Sequence, residues 1–294
     1  MDTLESEGTV KELQMQAYAK INLGLDVIRR LENGYHQVKM IMQTVGIYDE
    51  LNFQRIPTVI VLTTNHGKLP LDENNLIYKA VRLMQEAYGI SGGVKVHLLT
   101  NIPVAAGMAG GSTDAAATLR AMNQLFDLQV SDDELKVLGV KIGADVPYCI
   151  MGGTALAEGI GEKLTALPKA PDCQLLVAKP DINVSTKYVY EHLDANKGYE
   201  HPDIDGMVEA IEAGSLEGIT NRMGNVLESV TIPANPVIAD IKRRMLQLGA
   251  ANSLMSGSGP TVFGIFTDRE TAAGAYRQMK QEQPAAQVFL THFV

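Results

Sequence analysis

Cysteine is nearly absent from this chain of 294 residues, with Cys149 and Cys173 the two present. Neither belongs to a CxxC pair and no pair of histidines lies near them, so neither a disulfide framework nor a zinc site is expected, and a reducing compartment fits. Long apolar runs are missing as well. No stretch approaches the roughly 18 to 20 residues that a helix needs to cross a bilayer. Met1 to Glu12 are acidic and polar, unlike a signal peptide, and read as a frayed leader. Basic clusters are the third absence. A formal net charge of −9 without a Lys/Arg run argues against a nucleic-acid backbone or an anionic membrane as the main partner. The expectation is a cytoplasmic protein that holds anionic ligands by local devices, such as backbone N–H groups at a glycine loop or a helix N-terminus.

What is present suits a folded chain. Hydrophobic residues make up 46% and charged residues 20%, enough for a sizeable core, and the length suggests two units sharing an interface. The polar, glycine-containing segment from Glu158 to Pro171 is the candidate boundary, giving units 1–163 and 164–294. Periodicity predicts strands over 58–64 and 93–99, and between them a helix from Leu76 to Tyr88, capped by Asn74 or Asn75 and closed by Gly89. A second helix is expected over 113–126, and Ser131 with Glu134 forms a capping box that opens a third. The second half is again mixed, with strands over 174–178, 261–266 and 287–291 and helical patterns over 207–213, 236–248 and 270–280. The fold class expected is α+β.

Five segments can carry chemistry. In IPVAAGMAGGSTDAAA, residues 102–117, a strand ends at Pro103 and glycines lead into a small-residue helix. Such a loop is a phosphate cradle, with Ser112 and Thr113 adding hydroxyl donors, or else a plain turn capped by one of those hydroxyls. It is not a Walker A loop, since no Lys-Ser/Thr pair follows the glycines, nor the GxGxxG of dinucleotide folds. In AYAKINLGLD, residues 17–26, Lys20 and Asn22 interrupt an apolar alternation. They mark either a solvated strand face or a cation reaching into a site. KIGADVPYC, residues 141–149, sets Asp145 between Gly143 and Pro147 as a turn or cap aspartate or as a base. NGYHQ, residues 33–37, reads as a hairpin turn that leaves Tyr35 and His36 side by side. LMSGSGPTVFGIF, residues 254–266, is a second glycine-serine nest or a tight connection.

Taken in order and at these separations, the segments resemble the GHMP kinases: AYAKINL is similar to that family's first motif, IPVAAGMAGGSTDAAA to its second and LMSGSGPTVFGIF to its third. Within the family, AKINLGLDV, NGYHQVKMIMQT and KIGADVPYC look most like the diphosphocytidyl-methylerythritol kinases. The resemblance implies two domains, the first like ribosomal protein S5 domain 2 and the second ferredoxin-like, with ATP and substrate meeting between them. It implies that ATP lies over Pro103, Ala105, Gly107, Ala109, Gly110, Gly111, Ser112 and Thr113. Asp145 would take or orient the proton of the substrate's 2-hydroxyl, and Lys20 would hold Asp145 ionised and stabilise charge. Asn22 would lie near that hydroxyl, and Tyr35, His36 and Tyr190 would hold the cytosine. Mg²⁺ would bridge the phosphates with few protein ligands, and no metal ligand is assigned. The partners implied are ATP and a cytidine diphosphate-linked methylerythritol, with the chain a monomer or weak dimer.

The chain departs from the family pattern at Tyr18, where Pro is usual, at Met108, where Leu is, at Thr113, where a second Ser is common, and at Thr100, where many members carry Lys. No proposed chemical group is lost by these changes. Another GHMP enzyme acting on homoserine or mevalonate, the related decarboxylase, or a nucleotide-binding sensor of the same fold are the alternatives. An aromatic-imidazole pair suits a nucleobase better than a small aliphatic acid, and retention of Lys20 with Asp145 argues for chemistry over sensing.

Overall fold

The computed structural model describes residues 11–193, 198–282 and 287–294. Of the leader expected over Met1 to Glu12, residues 1–10 lie outside the described residues. The first half of the chain forms β1 (Glu12–Arg30), β2 (His36–Ile56), β3 (Ile60–Thr64), α1 (Leu76–Tyr88), β4 (Gly93–Leu99), α2 (Gly110–Leu125), α3 (Asp132–Val140), α4 (Val146–Met151), β5 (Thr154–Gly159) and β6 (Lys163–Ala166). The second half forms β7 (Gln174–Lys179), α5 (Thr186–Leu193), α6 (Ile204–Glu212), α7 (Leu216–Thr220), β8 (Gly224–Asn225), α8 (Glu228–Ala234), α9 (Val237–Gln247), β9 (Asn252–Met255), β10 (Val262–Phe266), α10 (Arg269–Glu282) and β11 (Gln287–His292).

Local chemistry sets the element ends. The Asn75 side chain accepts from Ile77 N to start α1, and the Ser131–Glu134 box starts α3 with both of its reciprocal bonds. Several predicted limits shift, and the helix expected from 207 begins at Ile204. The strand expected from residue 58 begins at Ile60, because Val59 takes φ 65 and turns the chain before the ladder starts. The helix expected from residue 113 begins at Gly110, because Thr113 N already donates to Ala109 O at 2.9 Å and closes a first turn over the glycines.

The larger sheet runs β3-β4-β2-β1-β8, with β5 pairing β2 and β6 extending from β5. Strand β2 is long enough to serve two neighbours, β5 along Val38–Gln43 and β4 along Glu50–Ile56. The smaller sheet, β11-β7-β10-β9, is antiparallel throughout and carries α9 and α10. The boundary expected after residue 163 falls at the start of β6, which pairs with β5, and β8 of the second half also joins the larger sheet. The halves share core as well. Ile21, Leu23, Ile41 and Val45 pack in one cluster with Leu175, Val177, Phe263 and Ile265, all fully buried. At about 1.5–3 kcal/mol for each such side chain, this seam fixes one half against the other. Helix α2 lies across β1, between α1 and α4, and its alanines Ala115, Ala116, Ala117 and Ala121 let it sit deep.

Candidate active site

A cavity of about 860 Å³ opens where β1, the start of α2, α4, α5 and the loop before β10 converge. Every residue expected at the site lines it except Thr113. That residue is 3% exposed and its hydroxyl turns to Cys149 beneath the loop, so it supports the cradle from behind, a correction to the contact expected of it.

No side-chain cap closes the start of the helix that follows the glycine loop. Ala105 and Ala109 adopt φ 51 and φ 59, and Ala109 stands at the N-cap of α2 without any side-chain bond to the helix amides. The N–H groups of the first turn therefore keep their donors for the cavity, at the positive end of a 16-residue helix. Gly107 is required by space and by backbone. At φ +72, a Cβ there would lie 2.3 Å from Ser256 O. The close approach is fastened by Ser256 Oγ donating to Gly107 O at 3.0 Å, so the loop before β10 backs the cradle and brings Gly257 and Ser258 to the cavity. That loop is itself held by buried Asn225, whose Nδ2 donates to Met255 O and Gly257 O, each at 2.8 Å.

Lys20 and Asn22 are not on a solvated face. Strand β1 is internal to the sheet, and the two residues are 5% and 0% exposed. Lys20 Nζ donates to Asn22 Oδ1 at 2.8 Å and stands 3.9 Å from Asp145 Oδ2. Its backbone N–H also donates to Met108 O, tying β1 to the cradle. Asp145 occupies the N-cap position of α4, yet its side chain makes no cap bond. The carboxylate is left for Lys20 and for the cavity. Burial, with the Asp145 charge adding to it, pushes the nearby Cys149 thiol well up, so that thiol stays neutral.

At the other end of the cavity, Leu31, Gly34 and Tyr35 close the expected hairpin between β1 and β2. The Tyr35 ring is left 61% exposed, while the His36 ring lies 5.1 Å from that of Tyr190 on α5, tilted by 40°. Burial, with a smaller push from Asp145, raises the Tyr190 phenol, so it remains a hydroxyl donor. The tertiary structure thus groups cradle, Lys20–Asp145 pair and aromatic end in one cavity.

Sequence reasoning missed two buried acids that also line this cavity, Asp49 and Asp114. A signal existed for Asp49: it alternates with Ile47, Leu51 and Phe53 on one buried face of β2, an acid at an apolar register position.

The arrangement matches known proteins along the chain. Residues 75–153 match the family described as GHMP kinases N terminal domain, and residues 207–285 match GHMP kinases C terminal. A 4-diphosphocytidyl-2-C-methyl-D-erythritol kinase of Lachnospira eligens is 58% identical over 96% of this chain and 98% of its own. The chain belongs to the GHMP kinases, in the 4-diphosphocytidyl-2-C-methyl-D-erythritol kinase family. Another such GHMP kinase, from Lachnoclostridium phytofermentans, is 52% identical over 96% of this chain and 97% of its own. A crystal structure of 4-(cytidine 5'-diphospho)-2C-methyl-D-erythritol kinase superposes with a TM-score of 0.82 at 30% identity, covering 96% of this chain and 99% of that one. Homoserine kinase from Cytophaga hutchinsonii, a GHMP fold relative, gives 0.79 at 22% identity over 98% and 97% of the two chains. The fold is therefore the two-domain GHMP kinase fold.

Proposed function

We propose that this kinase transfers the γ-phosphoryl group of ATP to the 2-hydroxyl of 4-diphosphocytidyl-2-C-methyl-D-erythritol, giving the 2-phosphate and ADP, a step in non-mevalonate isoprenoid precursor synthesis. The observation that carries the reading is one cavity holding an uncapped α2 N-terminus, the Lys20–Asp145 pair and the His36–Tyr190 end, in a chain 58% identical to a protein of that name.

ATP phosphates lie over Pro103 to Ser112, where the open amides of Gly110, Gly111 and Ser112 face them. The cytosine stacks against Tyr35 and is read by His36 and Tyr190. Between these ends the 2-hydroxyl meets Asp145, which orients it and takes its proton as the new O–P bond forms and the bond from Pγ to the ADP oxygen breaks. Lys20 keeps Asp145 anionic and faces the charge that develops on the transferred group, and Asn22 fixes the Lys20 ammonium. Mg²⁺ neutralises charge on the phosphates when bound. Among the described residues no group of three His, Cys, Asp or Glu side chains could hold an ion by itself. We place the enzyme in the cytoplasm as a monomer or weak dimer, with units 1–163 and 164–294 forming the cleft. Among the described residues no helix is long and apolar enough to cross a membrane.

The test is ADP release by the purified protein with ATP, Mg²⁺ and the cytidylyl substrate, beside homoserine and mevalonate at equal concentration. Turnover with the cytidylyl compound alone is expected. ATP binding without turnover on any of the three would overturn the assignment.

A further inference from the structure

The buried acids Asp49 and Asp114 have no part in the transfer just described, yet they sit together at the base of the cradle. Asp49 reaches from β2 to the chain entering the glycine loop. It accepts from Asn101 N at 2.5 Å and Ile102 N at 2.7 Å on one oxygen, and from the Thr100 hydroxyl at 3.0 Å on the other. Asp114 reaches from the first turn of α2, at the far end of the same loop, and its carboxyl adjoins that of Asp49 at the cavity they both line. A hydrogen bond between two carboxyl groups requires a proton on one of them. Its owner follows from the partners. Asp49 has three donors to stabilise an anion. Asp114 is 5% exposed, and its Oδ1 is buried without a hydrogen-bond partner among the described residues.

We propose that Asp114 is a positioning acid that stays protonated and donates to Asp49, so that one shared proton fastens both ends of the nucleotide loop, residues 100–102 and the start of α2, to β2. Burial first, and then the neighbouring Asp49 charge, hold the Asp114 carboxyl well above the usual range. The other ionisable groups nearby are the Cys149 thiol on α4, which Asp114 influences, and Lys20 of β1 with Asp145, which act on that same thiol. Helix α1 brings Leu76, Ile77, Ala80, Val81, Leu83 and Met84 to the core it shares with α2, none of which titrates. Lys20 is committed to Asn22 and Asp145, and among the described residues it is burial and Asp49, not a cation, that act on Asp114. The effect on nucleotide binding rests on the proposed ATP site, whereas the shared proton does not.

Three proteins decide the matter: wild type, Asp114→Asn, which keeps a donor toward Asp49, and Asp114→Ala, which removes it. Asp114→Asn is expected to bind ATP within about threefold of wild type, whereas Asp114→Ala weakens binding by about tenfold or more, the scale of stranding a buried acceptor. The conservative variant thus rescues what the truncation loses. A carboxyl that is neutral when folded favours folding fully below its unfolded pKa of about 3.9, and this contribution is lost as pH rises toward the folded value. Asp114→Asn has no such proton to keep, so its unfolding temperature is expected to fall less than that of wild type as pH rises from 5 to 8. Infrared difference spectra of wild type against Asp114→Asn at neutral pH are expected to show loss of one protonated-carboxyl C=O band. Both measurements are made without nucleotide, so a failed kinase assignment leaves them intact. They also stand if Asp114→Ala does not fold. Asp114→Asn binding ATP as poorly as Asp114→Ala, no loss of binding in Asp114→Ala, or no band lost would each overturn the proposal.

Discussion

Replacing Gly107 by Ala strikes the joint between the two glycine loops. At φ +72 any side chain is strained by about 1–2 kcal/mol. The added Cβ would also meet Ser256 O at 2.3 Å and Gly259 O at 3.2 Å. Ser256 cannot simply step aside, because its N–H donates to Thr261 O and its carbonyl accepts from Gly259 N, each at 2.9 Å. The cradle must move instead, and the Ser256 Oγ bond to Gly107 O goes with it, a further loss of about 1 kcal/mol. Strain and lost bond together come to about 2–3 kcal/mol, which corresponds to about 30- to 150-fold in the population of the competent cradle. Calorimetric titration with ATP and Mg²⁺ is the assay. Gly89→Ala is the control, because Gly89 shares the left-handed backbone at φ +64 but has nothing within 4 Å of its Cβ position. It is expected to lose stability and leave ATP affinity unchanged. If Gly107→Ala bound ATP within twofold of wild type, contact between the loops would not shape the phosphate site.

Three further outcomes are expected. Asp145→Asn should leave ATP affinity nearly intact while kcat falls by about 10² or more, the scale of general-base work, as measured by ADP release under saturating substrates. Tyr35→Ala should raise KM for the cytidylyl substrate much more than KM for ATP, and equal effects would undo the stacking role. Asn225→Ala removes both bonds to Met255 O and Gly257 O and strands two buried carbonyls, so a loss of about 2–3 kcal/mol in thermal or denaturant unfolding is expected, with a raised KM for ATP.

Much of the site was legible because motif chemistry is local. The glycines of the cradle, Lys20, Asp145 and the hairpin that sets Tyr35 beside His36 each announce unusual backbone or a polar group among apolar neighbours. What remained hidden is long-range. Asn225 lies about 30 residues from the loop it clamps, in a two-residue strand with no periodicity to read. Asp114 reads as one more polar residue at a helix start until β2 places Asp49 beside it. Helix α5, which carries Tyr190 to the cavity, spans eight residues and offers too little pattern to detect.

By itself the amino-acid order determined the helix caps, the strand alternation, the backbone freedom of the glycine loops and the residue types available for phosphoryl transfer. Each of these depends on neighbours within a few positions. Only the tertiary structure decided which polar groups face one another. Register across β1 and β2, the seat of α2 on β1 and the packing of the smaller sheet against Ile21 and Leu23 are set by burial summed over the whole core. That summed burial brings Lys20 to Asp145 and turns Thr113 away from the cavity.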